Sequence, residues 1–159
     1  MIYKNEKLSK YNWFNLGGPA KIFFKANSES DLKEFLINHL KKEKNIYILG
    51  AGSNTLFRDS GFSGIIIKLG NAFAHTNLIG NDKIEVGAAA LDKKVADFAL
   101  KNSISGFEFL SCIPGNIGGA IAMNSGCYGH DISNIFLSLK AINFYGEIKS
   151  FNKNEINFY

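Results

Sequence analysis

The chain has 159 residues, 46% of them hydrophobic, and a formal charge of +4, which suits one ordinary domain or two small subdomains with a real core. Lysine carries nearly all the positive charge and Arg58 is the only arginine, so the bidentate contacts of a nucleic-acid reader lack their usual donor. No apolar run approaches the roughly 20 residues that span a bilayer, and residues 1–6 lack the apolar core of a secretory signal; neither nucleic acid nor membrane is an expected partner, and the cytoplasm is the expected setting.

Residues 1–20 read as an irregular lead-in, in which Tyr11, Trp13 and Phe14 pack against a Gly17-Gly18-Pro19 turn. Ile22, Phe23 and Phe24 mark a buried strand within residues 21–26. Ser28 or Ser30 can cap a helix with Glu29 and Asp31 in its first turn. Leu32, Phe35, Leu36, His39 and Leu40 then follow at helical spacing. That helix is predicted to end near Lys44, where the cluster Lys41-Lys42-Glu43-Lys44 complements the helix dipole. Residues 46–49 form a short buried strand that runs into Gly50-Ala51-Gly52-Ser53-Asn54, and Ile65-Ile66-Ile67 mark a third strand. Residues 21–69 thus read as a small α/β unit with a glycine loop at a strand end, where open α/β sheets bind ligands. The loop lacks the third glycine of Gly-x-Gly-x-x-Gly and no helix opens after it, which argues against a Rossmann NAD site. The absence of Gly-Lys-Ser/Thr excludes a P-loop.

A subdomain boundary is expected near residues 69–72, giving subdomains 1–70 and 71–159. Residues 72–79 and 83–88 read as a hairpin around Gly80-Asn81-Asp82. Residues 89–103 are helical, with Leu91, Val95, Phe98 and Ala99 on one face. Residues 136–144 and 148–151 form a second hairpin, so this half is α+β with antiparallel pairing. Residues 154–159 bring no polar tail and the last hairpin has no visible neighbour; the sequence reads as cut. Cys112 and Cys127, fifteen apart and without adjacent histidines, argue for buried free thiols rather than zinc, and no metal is expected.

The remaining stretch, residues 113–129, is neither a flexible linker nor a plain helix. Gly115, Gly118 and Gly119 strip side chains from one short segment, so its backbone N–H groups can approach a ligand. Pro114 stiffens the entry, and Ala120, Ile121, Ala122 and Met123 suit a short buried helix whose N-terminus favours an anion. The alternative is a tight turn packed under a small-residue helix. Two glycine loops, one per subdomain, suit one large ligand with a charged middle, such as a dinucleotide.

Five motifs, in order, carry a specific resemblance: Asn12-Trp13-Phe14-Asn15-Leu16-Gly17-Gly18-Pro19-Ala20, Leu49-Gly50-Ala51-Gly52-Ser53-Asn54, Gly106-Phe107-Glu108-Phe109-Leu110, Ile113-Pro114-Gly115-Asn116-Ile117-Gly118-Gly119-Ala120, and Met123-Asn124-Ser125-Gly126-Cys127-Tyr128-Gly129. With them the chain resembles the N-terminal part of the UDP-N-acetylenolpyruvoylglucosamine reductase (MurB) family. The resemblance implies an α+β FAD-binding fold of the vanillyl-alcohol-oxidase/p-cresol methylhydroxylase type, with two α/β subdomains, C-terminally incomplete here and without the substrate-binding domain. It implies FAD as cofactor, NADPH as hydride donor and a UDP-sugar enolpyruvyl ether as substrate, reduced to UDP-N-acetylmuramate; no protein partner is implied.

Carried over by position, Gly50, Ala51, Gly52, Ser53, Asn54, Ile113, Pro114, Gly115, Asn116, Ile117, Gly118, Gly119 and Ala120 line the FAD pyrophosphate and adjoining flavin or ribityl region. Asn124 and Gly126 lie beside the flavin. Tyr128 falls on the substrate side, with a core tyrosine closing the loop as its alternative. Asn116 stands where the family has Ser or Thr, and Cys112 and Cys127 where it commonly has Gly and Ala. The family's catalytic arginine is expected just after Tyr159, and its proton-donating serine and supporting glutamate lie far beyond, so no catalytic residue is expected in this chain. The alternatives are a partial flavin-binding module without catalysis and, on Gly50-Ala51-Gly52 alone, an NAD(P)-binding domain.

Overall fold

The computed structural model describes residues 1–39 and 45–159; Leu40, the predicted helix end near Lys44 and the basic cluster 41–44 lie outside the described residues. The chain divides into two compact units, one of Met1–Ala72 with Phe144–Gly146, the other of Phe73–Asn143 with Glu147–Tyr159. Among the described residues, no helix is long and apolar enough to cross a membrane.

The first unit is built on a four-stranded sheet in the order β1 (Ile2–Lys7), β2 (Pro19–Ala26), β4 (Phe62–Leu69), β3 (Ile46–Ile48). β2, β4 and β3 run parallel, and β1 joins β2 antiparallel. The apolar run of β4 sits in the middle of the sheet, with Ile65, Ile66 and Ile67 all buried, as suits a parallel strand covered on both faces. Two expectations are corrected. The lead-in contains a regular strand, β1, whose exposed side chains hide it from pattern reading because it is held by main-chain pairing. β3 lies at the sheet edge, so Tyr47 and Ile48 are exposed and only Leu49, just past its end, is buried.

Ser28 caps α1 (Glu29–His39) by accepting the Asp31 N–H at 3.1 Å, satisfying one orphan donor of the first turn. The predicted stripe Leu32, Phe35 and Leu36 is buried. Phe35 stacks on Phe24 of β2 with ring centroids 3.8 Å apart, and on His39 on its other side at 4.3 Å. The opposite face of the sheet buries Phe23 and Ile66 with Leu8, Ala20, Leu49 and Phe57. Trp13 and Phe14, expected to pack against the Gly-Gly-Pro turn, are exposed instead; the segment is fixed by polar and backbone contacts described below.

In the second unit, the hairpin β5 (Thr76–Ile79) and β6 (Lys83–Val86) precedes α2 (Asp92–Lys101). α3 (Ile117–Ala122), the two-residue strands β7 (Gly126–Cys127) and β8 (His130–Asp131) and α4 (Ile132–Ile135) follow, and β9 (Ser138–Ile142) pairs antiparallel with β10 (Ile148–Asn152). The core gathers Val95 and Ala96 of α2, Phe109 and Leu110, Ile117 and Ala120 of α3, and Ile132 and Phe136. Ile156 and Phe158 pack against it, Phe158 edge-on to Phe136 at 5.2 Å, so the last residues cover apolar surface rather than trailing free.

Candidate functional site

The loop 50–54 leaves the C-terminal end of β3. None of its five backbone N–H groups has a hydrogen-bond partner among the described residues, while two of its carbonyls do. The Gly52 carbonyl accepts the Trp13 N–H at 3.1 Å, and the Gly50 carbonyl accepts from the Lys68 ammonium. The loop rests on the segment that precedes β2. Asn12, buried, donates its amide to the carbonyls of Leu8 and Leu16, each at 2.8 Å. A Cβ on Gly52 would fall 2.1 Å from the Tyr11 carbonyl oxygen, and the residue has φ +75°. Gly52 is therefore required by backbone packing. A row of N–H donors without partners among the described residues, held by its carbonyl side, has the chemistry to accept an anion.

Lys68 went unnoticed in the sequence. It lies near the end of β4, directly across the parallel register from Lys25 of β2. Burial pushes its ammonium below the ordinary lysine range, and the Lys25 charge pushes the same way. Only the run Ile65–Ile67 before it signalled a buried strand, and nothing local told that its end carries a half-buried cation.

The loop 113–120 is held by β-bridge-like contacts to the start of α2. The Asp92 N–H donates to the Gly115 carbonyl at 3.1 Å, and the Ile117 and Gly118 N–H groups donate to the Ala90 and Ala88 carbonyls at 3.0 and 2.9 Å. The Ala120 N–H is taken by the Asn116 carbonyl within the helix start. Donors without partners among the described residues are thus narrowed to Gly115, Asn116 and Gly119. Ile117 and Ala120 turn into the core, Ile113 is half-buried and Pro114 exposed. α3 is partly buried only: Met123, expected inside, is exposed. The glycines here have different causes. A Cβ on Gly115 would lie 2.5 Å from Asp92 Oδ2 and one on Gly118 3.0 Å from Ala88, whereas one on Gly119 would meet nothing within 4 Å. Gly119 alone is a bare backbone facing open space. The Asn116 side chain donates to the Ala89 carbonyl at 2.7 Å, which fixes the loop at the position where the sequence departs from Ser or Thr.

Asp92 is the second residue that sequence reasoning missed. Its carboxyl is 0% exposed, both oxygens lack hydrogen-bond partners among the described residues, and burial lifts it to about 7. An acidic residue in a helix's first turn reads as a solvent-facing one; its burial depends on the loop 113–120 folding over it.

Beyond α3, Asn124 adopts φ +43° and its amide is taken up by the chain: Oδ1 accepts the Ser133 N–H at 3.0 Å and Nδ2 donates to the Tyr159 carbonyl at 3.3 Å. Gly126 packs against the His130 carbonyl, where a Cβ would come within 2.7 Å. Tyr128 is 86% exposed at φ +55°, which overturns its reading as a core tyrosine. Cys112 is exposed and Cys127 half-buried, correcting the expectation of two buried thiols. Burial, and then the neighbouring Cys112 thiol, push Cys127 upward, so the two sulfurs are close in space.

Each donor set suits a phosphate anion. Both loops offer backbone N–H groups without partners among the described residues, loop 50–54 with the Lys68 ammonium on its carbonyl side and loop 113–120 with an unfilled glycine. The FAD binding domain family model matches residues 20–152. The UDP-N-acetylenolpyruvoylglucosamine reductase of Pelagibacter ubique (strain HTCC1062) is 50% identical over 141 residues, covering 89% of this chain and 46% of that protein. The crystal structure of UDP-N-acetylenolpyruvylglucosamine reductase (MurB) from Thermus caldophilus matches with TM-score 0.82 at 26% identity, over 100% of this chain and 54% of that one. The 6-hydroxy-D-nicotine oxidase of Arthrobacter nicotinovorans matches in fold, with TM-score 0.68 at 14% identity over 98% of this chain and 36% of that one. The chain thus spans about half the length of the curated relatives it matches. Its mixed α/β architecture is the FAD-binding domain of the vanillyl-alcohol-oxidase/p-cresol methylhydroxylase type. With the family model covering most of its length, the chain belongs to the FAD-binding domain family.

Proposed function

We propose that this chain is the flavin-holding part of a UDP-N-acetylenolpyruvoylglucosamine reductase that uses NADPH to reduce the enolpyruvyl ether of a UDP-sugar to UDP-N-acetylmuramate in peptidoglycan precursor synthesis. The observation that carries the reading is the row of five free N–H groups at 50–54, on a chain half identical to such a reductase over nine-tenths of its length. FAD, when bound, supplies a hydride carrier between NADPH and the enolpyruvyl double bond. The chain's own part is binding and orientation. Gly50, Ala51, Gly52, Ser53 and Asn54 would hold the diphosphate through backbone N–H donors, whose charge-assisted hydrogen bonds would be stronger than neutral ones. Gly115, Asn116 and Gly119 carry the donors that the second loop would offer, and the bare Gly119 would let a ligand come close to that loop. Ile113, Pro114, Ile117, Gly118 and Ala120 hold that loop in shape. Asn124 and Gly126 shape the neighbouring turn on the flavin side, and the exposed Tyr128 phenol is available to an anionic substrate. The two units correspond to two FAD-binding subdomains, with the chain passing from one to the other near residues 70–72. A cytoplasmic setting accords with a nucleotide-sugar substrate and a soluble hydride donor.

This reading assigns the general-acid role to none of the described side chains, so the chain alone is expected to bind FAD without turnover. The test is a chimera in which this chain replaces the matching half of the Pelagibacter ubique reductase. Flavin absorbance together with substrate-dependent NADPH oxidation, and a product of the reduced mass, is the expected result. A folded chimera without flavin refutes the reading. Turnover by the chain alone would refute its assignment as a binding half.

A further inference from the structure

Lys25 and Lys68 are register partners on adjacent parallel strands, β2 and β4. By the two-residue alternation of a strand they share the face that buries Phe23 and Ile66, the face onto which Leu49 and the glycine loop fold. Two ammonium groups side by side repel, and neither meets a carboxylate within ion-pair distance among the described residues. Lys68 is also half-buried and donates to the Gly50 carbonyl. In a trans peptide the C=O of one residue and the N–H of the next point in opposite directions. With the Gly50 carbonyl turned to Lys68, the Ala51 N–H is turned away from it, outward. The Trp13 N–H does the same for the next peptide but one, holding the Gly52 carbonyl and so turning the Ser53 N–H away.

We propose that Lys68 is the positioning cation of a diphosphate subsite: it fixes the Gly50–Ala51 peptide with its N–H presented to the ligand and, with Lys25, supplies positive charge that no carboxylate among the described residues pairs with and that the ligand's diphosphate neutralises. The inference rests on the FAD reading for the identity of the ligand, and on the loop geometry for its charge. A like-charged pair gathered at the C-terminal ends of parallel strands, behind five unpartnered N–H groups, has an unfavourable charge of its own that an anion relieves. The pushed-down Lys68 ammonium is consistent with this, since desolvation and Lys25 both disfavour its charge until a counter-charge arrives.

The test measures FAD binding by flavin fluorescence, and inorganic pyrophosphate binding by calorimetry, on the full chain and on its Lys68→Met, Lys68→Arg and Lys25→Met variants at several salt concentrations. Loss of one charge-assisted contact predicts FAD affinity about 10- to 100-fold weaker in Lys68→Met. Lys68→Arg keeps charge and donor and restores most of it. No hydrogen bond joins the Lys25 ammonium to the loop among the described residues, so Lys25→Met reads its charge: a several-fold weakening that vanishes at high salt, where the field is screened. The Ala51 amide resonance should shift in Lys68→Met and return in Lys68→Arg. Wild-type FAD affinity in Lys68→Met, or a weakening equal at all salt concentrations with Lys25→Met unaffected, overturns the proposal. If the wild type binds no FAD but binds pyrophosphate in a Lys68-dependent way, the FAD reading fails and the anion subsite stands. Binding of neither overturns both.

Discussion

Asp92→Asn is the substitution whose effect follows most directly from the structure. Asp92 opens α2 with its carboxyl fully buried, no hydrogen-bond partner for either oxygen among the described residues, and Oδ2 against the Gly115 backbone. Burial alone lifts its pKa from 3.8 to about 7. The group therefore holds its proton more tightly folded than unfolded. Stability is fully present below pH ~4, falls as pH rises through the window from about 4 to about 7, and is flat above it. At about 1.4 kcal/mol for each tenfold change in proton affinity, a rise of that size sets the loss at about 4 kcal/mol. Asparagine matches the shape of the protonated acid but carries no charge at any pH. The assay is urea unfolding followed by amide signals of α2, from pH ~4 to ~8.5, for both proteins. Wild type should lose stability relative to Asp92→Asn by about 4 kcal/mol across that range, on top of a constant offset for the new amide's own donors. A difference that does not change with pH would refute the reasoning, because it would mean that the carboxyl finds compensation when ionised.

Two further substitutions separate packing glycines from ligand-facing ones. Gly119→Ala puts a methyl into open space on a helix, so the protein should be unchanged or up to about 1 kcal/mol more stable, yet FAD titration should show weakened binding. Gly118→Ala crowds Ala88 at 3.0 Å and should lower the stability of the second unit by about 1–3 kcal/mol, measured by the same urea titration. In the first unit, Phe35→Ala removes the ring stacked between Phe24 and His39. It should destabilise by about 3–5 kcal/mol, read from the unfolding of α1 amides.

Much of this was legible in the chain because the signal was local. The Ser28 cap, the Leu32, Phe35 and Leu36 stripe, the three isoleucines of β4 and both long hairpins each follow from a few adjacent residues. What escaped depends on partners distant in sequence. β1 has no buried face of its own and exists because β2 offers an edge. Lys68 and Asp92 look like ordinary surface charges until a strand far back in the chain, or a loop some twenty residues further on, closes over them.

The glycines mark the same boundary more sharply. A glycine in a sequence announces that a side chain is unwelcome, but not what excludes it. At Gly52 the excluding atom is the Tyr11 carbonyl oxygen, at Gly115 the Asp92 carboxyl and at Gly118 Ala88, whereas Gly119, alone of these four, has nothing within 4 Å in its way. A loop suited to the proposed ligand is then one in which the protein's own backbone accounts for most of the glycines and takes up the carbonyls, leaving the N–H groups. Loop 50–54 meets that description because the segment ahead of β2 supplies the platform: Asn12 ties Leu8 to Leu16, the Tyr11 and Asn12 backbone receives Gly52, and Trp13 holds its carbonyl. The Asn12–Ala20 motif, which by itself reads as a turn before a strand, thus owes its function to a loop much later in the chain, and the loop owes its outward donors to it.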